Sequence, residues 1–236
     1  MAHEVKGAAG RICVSIARQD MGSAIQAARK VQALADVIEI RLDSLTAPAI
    51  APLLQAIDVP LLFTNRPAWE GGLYNGPEEQ RLALLMQAVQ CKAPYVDIEL
   101  RSGQPAVERL CKTARENGTH VIISWHDFNR TPDQSELADI LASQHDSGAQ
   151  IGKIVTMAHD FRDVLRVLQL QEEAHRKEFP LIAFCMGRAG MISRLATLEL
   201  GGFMTYAAPD AGEATAPGQL AVADLLNCFR TFRHAD

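Results

Sequence analysis

Several things are missing from this 236-residue chain, and each absence removes a class of function. Its 23 basic and 28 acidic residues are mixed along the sequence, with a formal charge of -5. There is accordingly no basic tail or stripe to follow a nucleic-acid backbone, and no nucleic-acid partner is expected. No apolar run approaches the roughly 18 residues needed to span a bilayer, and residues 1–10 lack the apolar stretch of a secretion signal. The expected compartment is the cytoplasm, with no membrane contact. Cys13, Cys91, Cys111, Cys185 and Cys228 form no short pair of the zinc or redox-dithiol kind, so they read as small core residues. No strand-like segment is followed by the Gly-rich phosphate turn of a dinucleotide fold, and Gly71-Gly72 does not have its spacing. Low-complexity tracts are absent as well, and at 48% hydrophobic the chain has what a packed core requires.

What the chain does have is a steady alternation. Apolar, β-branched segments at 12–16, 37–43, 60–66, 95–100, 120–127, 151–158, 181–187 and 202–207 read as strands. Amphipathic stretches at 20–35, 78–91, 104–117, 133–146, 160–175, 192–200 and 218–230 read as helices, and the Pro52-containing segment at 48–57 as a stunted one. Eight strand-then-helix units without a linker predict a single-domain (β/α)8 barrel, an α/β fold of the TIM type, over residues 11–236, preceded by a flexible leader at 1–10.

Strand residues two apart share a face, which sorts the side chains into outward and axial sets. Ile38, Ile40 and Leu42 point outward, leaving Glu39, Arg41 and Asp43 toward the axis; Val96, Ile98 and Leu100 leave Asp97 and Glu99. Thr64 shares a face with Arg66, Ser124 with His126, and Lys153 with Ile151, Val155 and Met157, while Ser15 lies opposite Val14 and Ile16. A purely structural barrel fills its interior with branched aliphatics, because each buried ion costs several kcal/mol unless paired and hydrogen-bonded. A polar interior therefore predicts a site. The competing reading is a set of internal ion pairs, such as Glu39 with Arg41 or Arg66.

Lys153 is the most unusual of these residues, since the other lysines lie near the amino terminus or in helical and linking segments. Burial and neighbouring cations would favour a neutral amine, the form that imine chemistry needs; a structural bridge to Asp97 or Glu99 is the alternative. His126 ends the adjacent strand at the mouth of the barrel, where imidazole can pass protons both ways. Glu70, in the loop after the third strand, is available to orient it. Arg66, Arg194 at the expected start of the seventh helix, and Gln219 in a Pro-Gly turn complete the mouth, with an arginine fork suited to a carboxylate and the turn suited to a lid. No His, Asp or Glu cluster makes a metal site: His120 opens its strand at the opposite end of the barrel, and the remaining histidines lie in or beside helices or in the leader.

The motifs EIRLD at 39–43, FTNRPAWEGG at 63–72, DIEL at 97–100, SWHDF at 124–128, GKIVTMA at 152–158, MGRAGMISR at 186–194 and APGQ at 216–219 stand in order on the expected strands. Together they resemble the type I 3-dehydroquinate dehydratases. The resemblance implies a barrel that forms an imine between Lys153 and the C3 ketone of 3-dehydroquinate, removes a C2 proton, expels the C1 hydroxyl as water and releases 3-dehydroshikimate, with no cofactor and no metal. It implies His126 as the acid-base group with Glu70 beside it, substrate contacts at Ser15, Glu39, Arg41, Arg66, Arg194, Thr215 and Gln219, and a homodimer. Arg194 matches the clamp on the ring carboxylate. The chain departs from the family pattern at Asn65, Pro67, Phe184, Gly202 and Thr215, positions that bear on pocket shape. Two further readings are a class I aldolase, sharing the imine but breaking a carbon–carbon bond, and a non-catalytic barrel that binds a small acid. The SWHDF histidine and the APGQ turn weigh against the first, and the retention of every reacting residue weighs against the second.

Overall fold

The computed structural model describes residues 10–233. The expected leader, apart from Gly10, lies outside the described residues, as do His3 and His234.

Short runs of branched and aromatic residues form the strands β1 (Arg11–Ile16), β2 (Val37–Arg41), β3 (Leu61–Thr64), β4 (Tyr95–Glu99), β5 (His120–Asp127), β6 (Ile151–Met157), β7 (Leu181–Met186) and β8 (Met204–Ala207). They alternate with the helices α1 (Met21–Val31), α2 (Ile50–Ala56), α3 (Glu78–Gln90), α4 (Gln104–Asn117), α5 (Gln134–Asp146), α6 (Phe161–Arg176), α7 (Gly187–Glu199) and α8 (Val222–Arg233). Helix starts are fixed locally: Asp20, Asp133 and Asp160 each accept amide protons of the following first turn, which satisfies donors that the helix itself cannot. Every strand pairing is parallel, in the order β7-β6-β5-β4-β3-β2-β1-β8. The ring closes where the amide of Phe203 donates to the Leu181 carbonyl across the β7–β8 seam at 2.8 Å. This is the α/β barrel that the alternation predicts, including a seven-residue α2 where a stunted helix is expected.

Strand alternation splits the core into two layers. One apolar set, with Ile38, Ile40, Phe63, Val96, Ile98, Ile123, Ile154 and Ala183, packs the strands against the helices. A second set fills the axis, from Cys13, Val37, Leu62, Ile122, Ile151 and Ile182 up to Val155, Phe184 and Tyr206.

Four of the boundaries that differ from the sequence reading bear on the site. β2 and β3 end at Arg41 and Thr64, two residues early, because Leu42–Ser44 turns as a single 3-10 turn and Asn65–Arg66 already belong to the loop. Helix α8 begins at Val222, after the turn at 216–219. Most consequentially, α7 begins at Gly187, directly after β7, so Arg194 lies in its second half and not at its start. The two glycines of MGRAGM hide this start from a propensity argument, yet the packing requires one of them. A Cβ on Gly190 would come within 2.7 Å of Cys185, so only glycine lets the helix lie this close to the strand.

Candidate active site

Register gathers the polar side chains into one belt. Ser15 pairs with Glu39, Arg41 with Thr64, Thr64 with Asp97, Glu99 with Ser124, and Ser124 with Lys153. Residues paired across a parallel ladder point to the same face, here the axis. A cavity open to solvent lies above the belt at the carboxyl ends of the strands, the end at which barrels of this kind place their sites. Lys153, His126, Glu70, Glu39, Arg41, Arg66, Arg194, Thr215 and Gln219 line it, as the sequence reading expects. Ser15 does not: it is buried beneath and donates its hydroxyl proton to Glu39. In this position it holds the Glu39 carboxylate.

Lys153 is 4% exposed, and its Nζ lies 3.1 Å from Asp97 Oδ2, 3.8 Å from Glu39 Oε1 and 3.1 Å from the Tyr206 hydroxyl. The charged groups against the amine are thus carboxylates, where the sequence argument invoked cations. Asp97 is anchored by Arg66 at 2.9 Å and Ser124 at 2.6 Å; against the raising effect of burial, Arg66 and Lys153 hold its carboxyl down at about 2. Glu39 is held by Ser15 and by Thr64 at 2.8 Å.

Of the internal ion pairs suggested by sequence, Lys153 with Asp97 forms, whereas Glu39 pairs with neither Arg41 nor Arg66. Arg41 forks onto Asp43 through Nε at 2.9 Å and Nη2 at 2.6 Å, and Asp43 also accepts the amides of Arg66 and Leu73, which ties the β3–α3 loop to β2. Arg66 is bound to Asp97, Glu99 and Ser124, and Glu99 is shared with Arg81, a fully buried arginine reaching in from α3. Each of these cations has a carboxylate partner, as burial demands.

His126 Nδ1 lies 2.9 Å from Glu70 Oε1. Glu70 reaches this position because Gly71 follows it in a left-handed conformation, φ 78°, with the Phe128 ring against its α-carbon; a Cβ there would come within 2.2 Å of the ring. Burial raises the Glu70 carboxyl to about 8, and its Oε2 is buried without a partner. Burial, then the charges of Arg66 and Lys153, push His126 well below its ordinary value. The imidazole is therefore held as the neutral base at neutral pH.

Arg194 stands apart from the other arginines. It is 1% exposed, its Nη2 donates to the Pro217 carbonyl at 3.2 Å, its Nε has no partner, and the guanidinium lies over the Phe184 ring at 4.6 Å. Among the described residues no carboxylate pairs with it, and burial lowers its pKa to about 10. The helix carrying it is fastened by Thr205, which donates to the Arg194 carbonyl at 2.8 Å, and by Ser193, which accepts the Cys185 amide at 2.8 Å. The Pro217 carbonyl also accepts the Gly187 amide at 3.2 Å, joining the APGQ turn to the start of α7. Within that turn, Gln219 Oε1 accepts the Thr215 amide at 2.7 Å and hydroxyl at 3.1 Å.

Sequence reasoning missed Tyr206, Phe128 and Met186 as lining residues. For Tyr206 the signal was present: the alternation that sorts the other strands puts Thr205 outward and Tyr206 on the axis in β8. Of the departures noted above, Phe184 and Thr215 line the cavity, whereas Asn65 is buried beside Arg81 and does not. Among the described residues no group of three His, Cys, Asp or Glu side chains is arranged to hold a metal ion.

A family model for type I 3-dehydroquinase matches residues 12–236. The chain belongs to the type I 3-dehydroquinase family. Its similarity to the 3-dehydroquinate dehydratase of Desulfotalea psychrophila is 45% identity over 222 residues, covering 94% of this chain and 98% of that one. The counterpart from Methanocaldococcus jannaschii is 34% identical over 221 residues, covering 93% and 97%. Among solved structures, the type I 3-dehydroquinase from Clostridium difficile, determined with covalently modified comenic acid, superposes with a TM-score of 0.89 at 29% identity, covering 98% of this chain and 94% of that one. The 3-dehydroquinate dehydratase of Geobacillus kaustophilus superposes with a TM-score of 0.88 at 28% identity, covering 95% and 91%.

Proposed function

We propose that this chain dehydrates 3-dehydroquinate to 3-dehydroshikimate through an imine on Lys153, with His126 moving the proton and Arg194 holding the substrate carboxylate. The activity is that of the family to which the chain belongs; the residue roles rest on the geometry of the cavity. The observation that carries them is the buried Arg194 guanidinium without a carboxylate partner, in the same cavity as a buried amine and a neutral imidazole. Lys153, Arg66, Arg81 and Arg41 already face Glu39, Asp97, Glu99 and Asp43, so the charge left to be satisfied is that of Arg194. A ligand bearing one carboxylate meets that need, and a guanidinium fork suits it.

With the carboxylate at Arg194, the ring carries its ketone toward Lys153. Lys153 passes a proton to Asp97 or Glu39 beside it and attacks C3; loss of the C3 oxygen gives a protonated imine. That cation acidifies C2 and receives the electron pair when neutral His126 takes the C2 proton. Glu70 stabilises the resulting imidazolium through Nδ1, and the imidazolium returns its proton to the C1 hydroxyl as it leaves. The Thr215–Gln219 loop covers the mouth and limits water access. The mechanism uses only the chain's own side chains. A cytoplasmic, homodimeric enzyme is part of the same reading, to be checked by fractionation and by sedimentation. The test is turnover of 3-dehydroquinate by the purified chain, followed by enone absorbance, with and without borohydride. Substrate-dependent inactivation by borohydride supports the imine; turnover that survives borohydride with substrate present contradicts it.

A further inference from the structure

Proton transfer at C2 and C1 occupies His126, yet imine formation and hydrolysis also require protons to move between nitrogen and the C3 oxygen. Tyr206, on the axial face of β8, meets Lys153 directly. Lys153 Nζ lies 4.2 Å from the centre of its ring and donates to its hydroxyl at 3.1 Å. The tyrosine is 5% exposed and lines the cavity, and among the described residues nothing accepts its hydroxyl proton. A buried phenol normally finds an acceptor. Here the direction left for that proton is the space beside Nζ, where a carbonyl under attack would stand. The oxygen of a carbinolamine is two bonds from Nζ, close enough for one hydroxyl to meet both within hydrogen-bond distance.

We propose that Tyr206 is a further catalytic residue, whose hydroxyl relays a proton from Lys153 Nζ to the substrate's C3 oxygen as the imine forms and carries it back during hydrolysis. The proposal rests on Lys153 as the imine-forming amine. After Lys153 has lent one proton to Asp97 or Glu39, its lone pair forms the Nζ–C3 bond and the carbonyl π pair moves to oxygen. One proton leaves Nζ for the phenol oxygen while the phenol proton moves to the former carbonyl oxygen, which gives the carbinolamine and an unchanged tyrosine. The lent proton then returns to that oxygen, the C3–O bond breaks, and the nitrogen lone pair closes the C=N bond as water departs. Two of the three ammonium protons leave in the water and one stays on the iminium nitrogen, so no outside acid is consumed. Burial, and then the nearby Glu39 carboxylate, raise the phenol well above its usual range, which keeps it a hydroxyl donor.

Tyr206→Phe keeps the ring under the ammonium and removes only the hydroxyl. The step is read apart from elimination by exchange of the C3 carbonyl oxygen of 3-dehydroshikimate with 18O-water, followed by mass spectrometry. We expect Tyr206→Phe to exchange about 100-fold more slowly than the unmodified enzyme, in line with the loss of one positioned proton donor, and to form the borohydride-trapped adduct correspondingly more slowly. Exchange within about twofold of the unmodified enzyme would overturn the proposal, even with kcat reduced, because the hydroxyl would then act in elimination or in packing. A second reading needs no variant: exchange by the unmodified enzyme in mixtures of H2O and D2O should give a curved proton inventory, since two protons move together, and a linear one would contradict the relay. Absence of both exchange and trapping in the unmodified enzyme would overturn the Lys153 imine itself.

Discussion

Replacing Arg194 by methionine should make the free protein more stable and the enzyme far less active. In the free protein the guanidinium is buried with one carbonyl contact and no carboxylate, and burial lowers its pKa well below the ordinary guanidinium value, to about 10. At about 1.36 kcal/mol per pH unit, holding that charge costs on the order of 3 kcal/mol. Methionine has a similar reach and can rest on the Phe184 ring, so part of this cost is recovered, a gain of about 1–2 kcal/mol after the imperfect fit. With substrate the balance reverses. Loss of a buried, charge-assisted fork should cost about 2–5 kcal/mol of transition-state binding, or roughly 30-fold to several thousand-fold in kcat/KM. Arg194→Lys keeps the charge without the fork; it should raise KM for 3-dehydroquinate while leaving Lys153 trappable at high substrate. The assays are urea unfolding without ligand and steady-state kinetics by enone absorbance. Wild-type kcat/KM in either variant would show that Arg194 does not hold the carboxylate and would move it to Arg66 or Arg41.

Glu70 and His126 give further predictions. The Glu70 carboxyl is raised from 4.5 to about 8 in the folded chain, so its contribution to stability is fully present below pH 4.5 and is lost as pH rises through 8. Glu70→Gln should therefore gain stability relative to the unmodified protein between pH 5 and 9, and parallel unfolding free energies across that range would contradict the assigned burial. His126→Ala should lower kcat by at least about 100-fold and let the covalent adduct accumulate, and near-native turnover would remove it as the proton carrier. Because His126 is held well below its ordinary value of 6.5, kcat of the unmodified enzyme should stay flat as pH falls through 6.5; an acid limb centred there would count against a neutral base.

The barrel and most of the cavity were legible in the sequence because both depend on a period of two. Alternation alone turns Glu39, Asp97, Ser124 and Lys153 toward the axis, and an ammonium in an apolar strand stands out whatever its partners. Partner choice was not legible. Arg41 takes Asp43, two residues on, only because β2 stops at Arg41 and turns; Arg66 takes Glu99 because α3 delivers Arg81 to the other side of that carboxylate. Such pairings depend on where helices dock, which no strand period encodes. Arg194 was identified as a residue and misplaced along its helix, since glycine-rich MGRAGM reads as a loop until the contact of Gly190 with Cys185 is known. In β8 the same alternation puts Tyr206 on the axis, but no strand period says that its hydroxyl meets the Lys153 amine across the barrel.

A nucleophilic Lys153 is fixed to the substrate by reduction of the imine, and the position of the trapped adduct decides the assignment. The purified enzyme is incubated with 3-dehydroquinate, reduced with borohydride, and read by intact mass and peptide mapping, beside Lys153→Ala treated in the same way. One adduct is expected, carried by the peptide that contains Lys153, with neither adduct nor turnover in Lys153→Ala. An adduct on any other lysine, or turnover that survives Lys153→Ala, would contradict it.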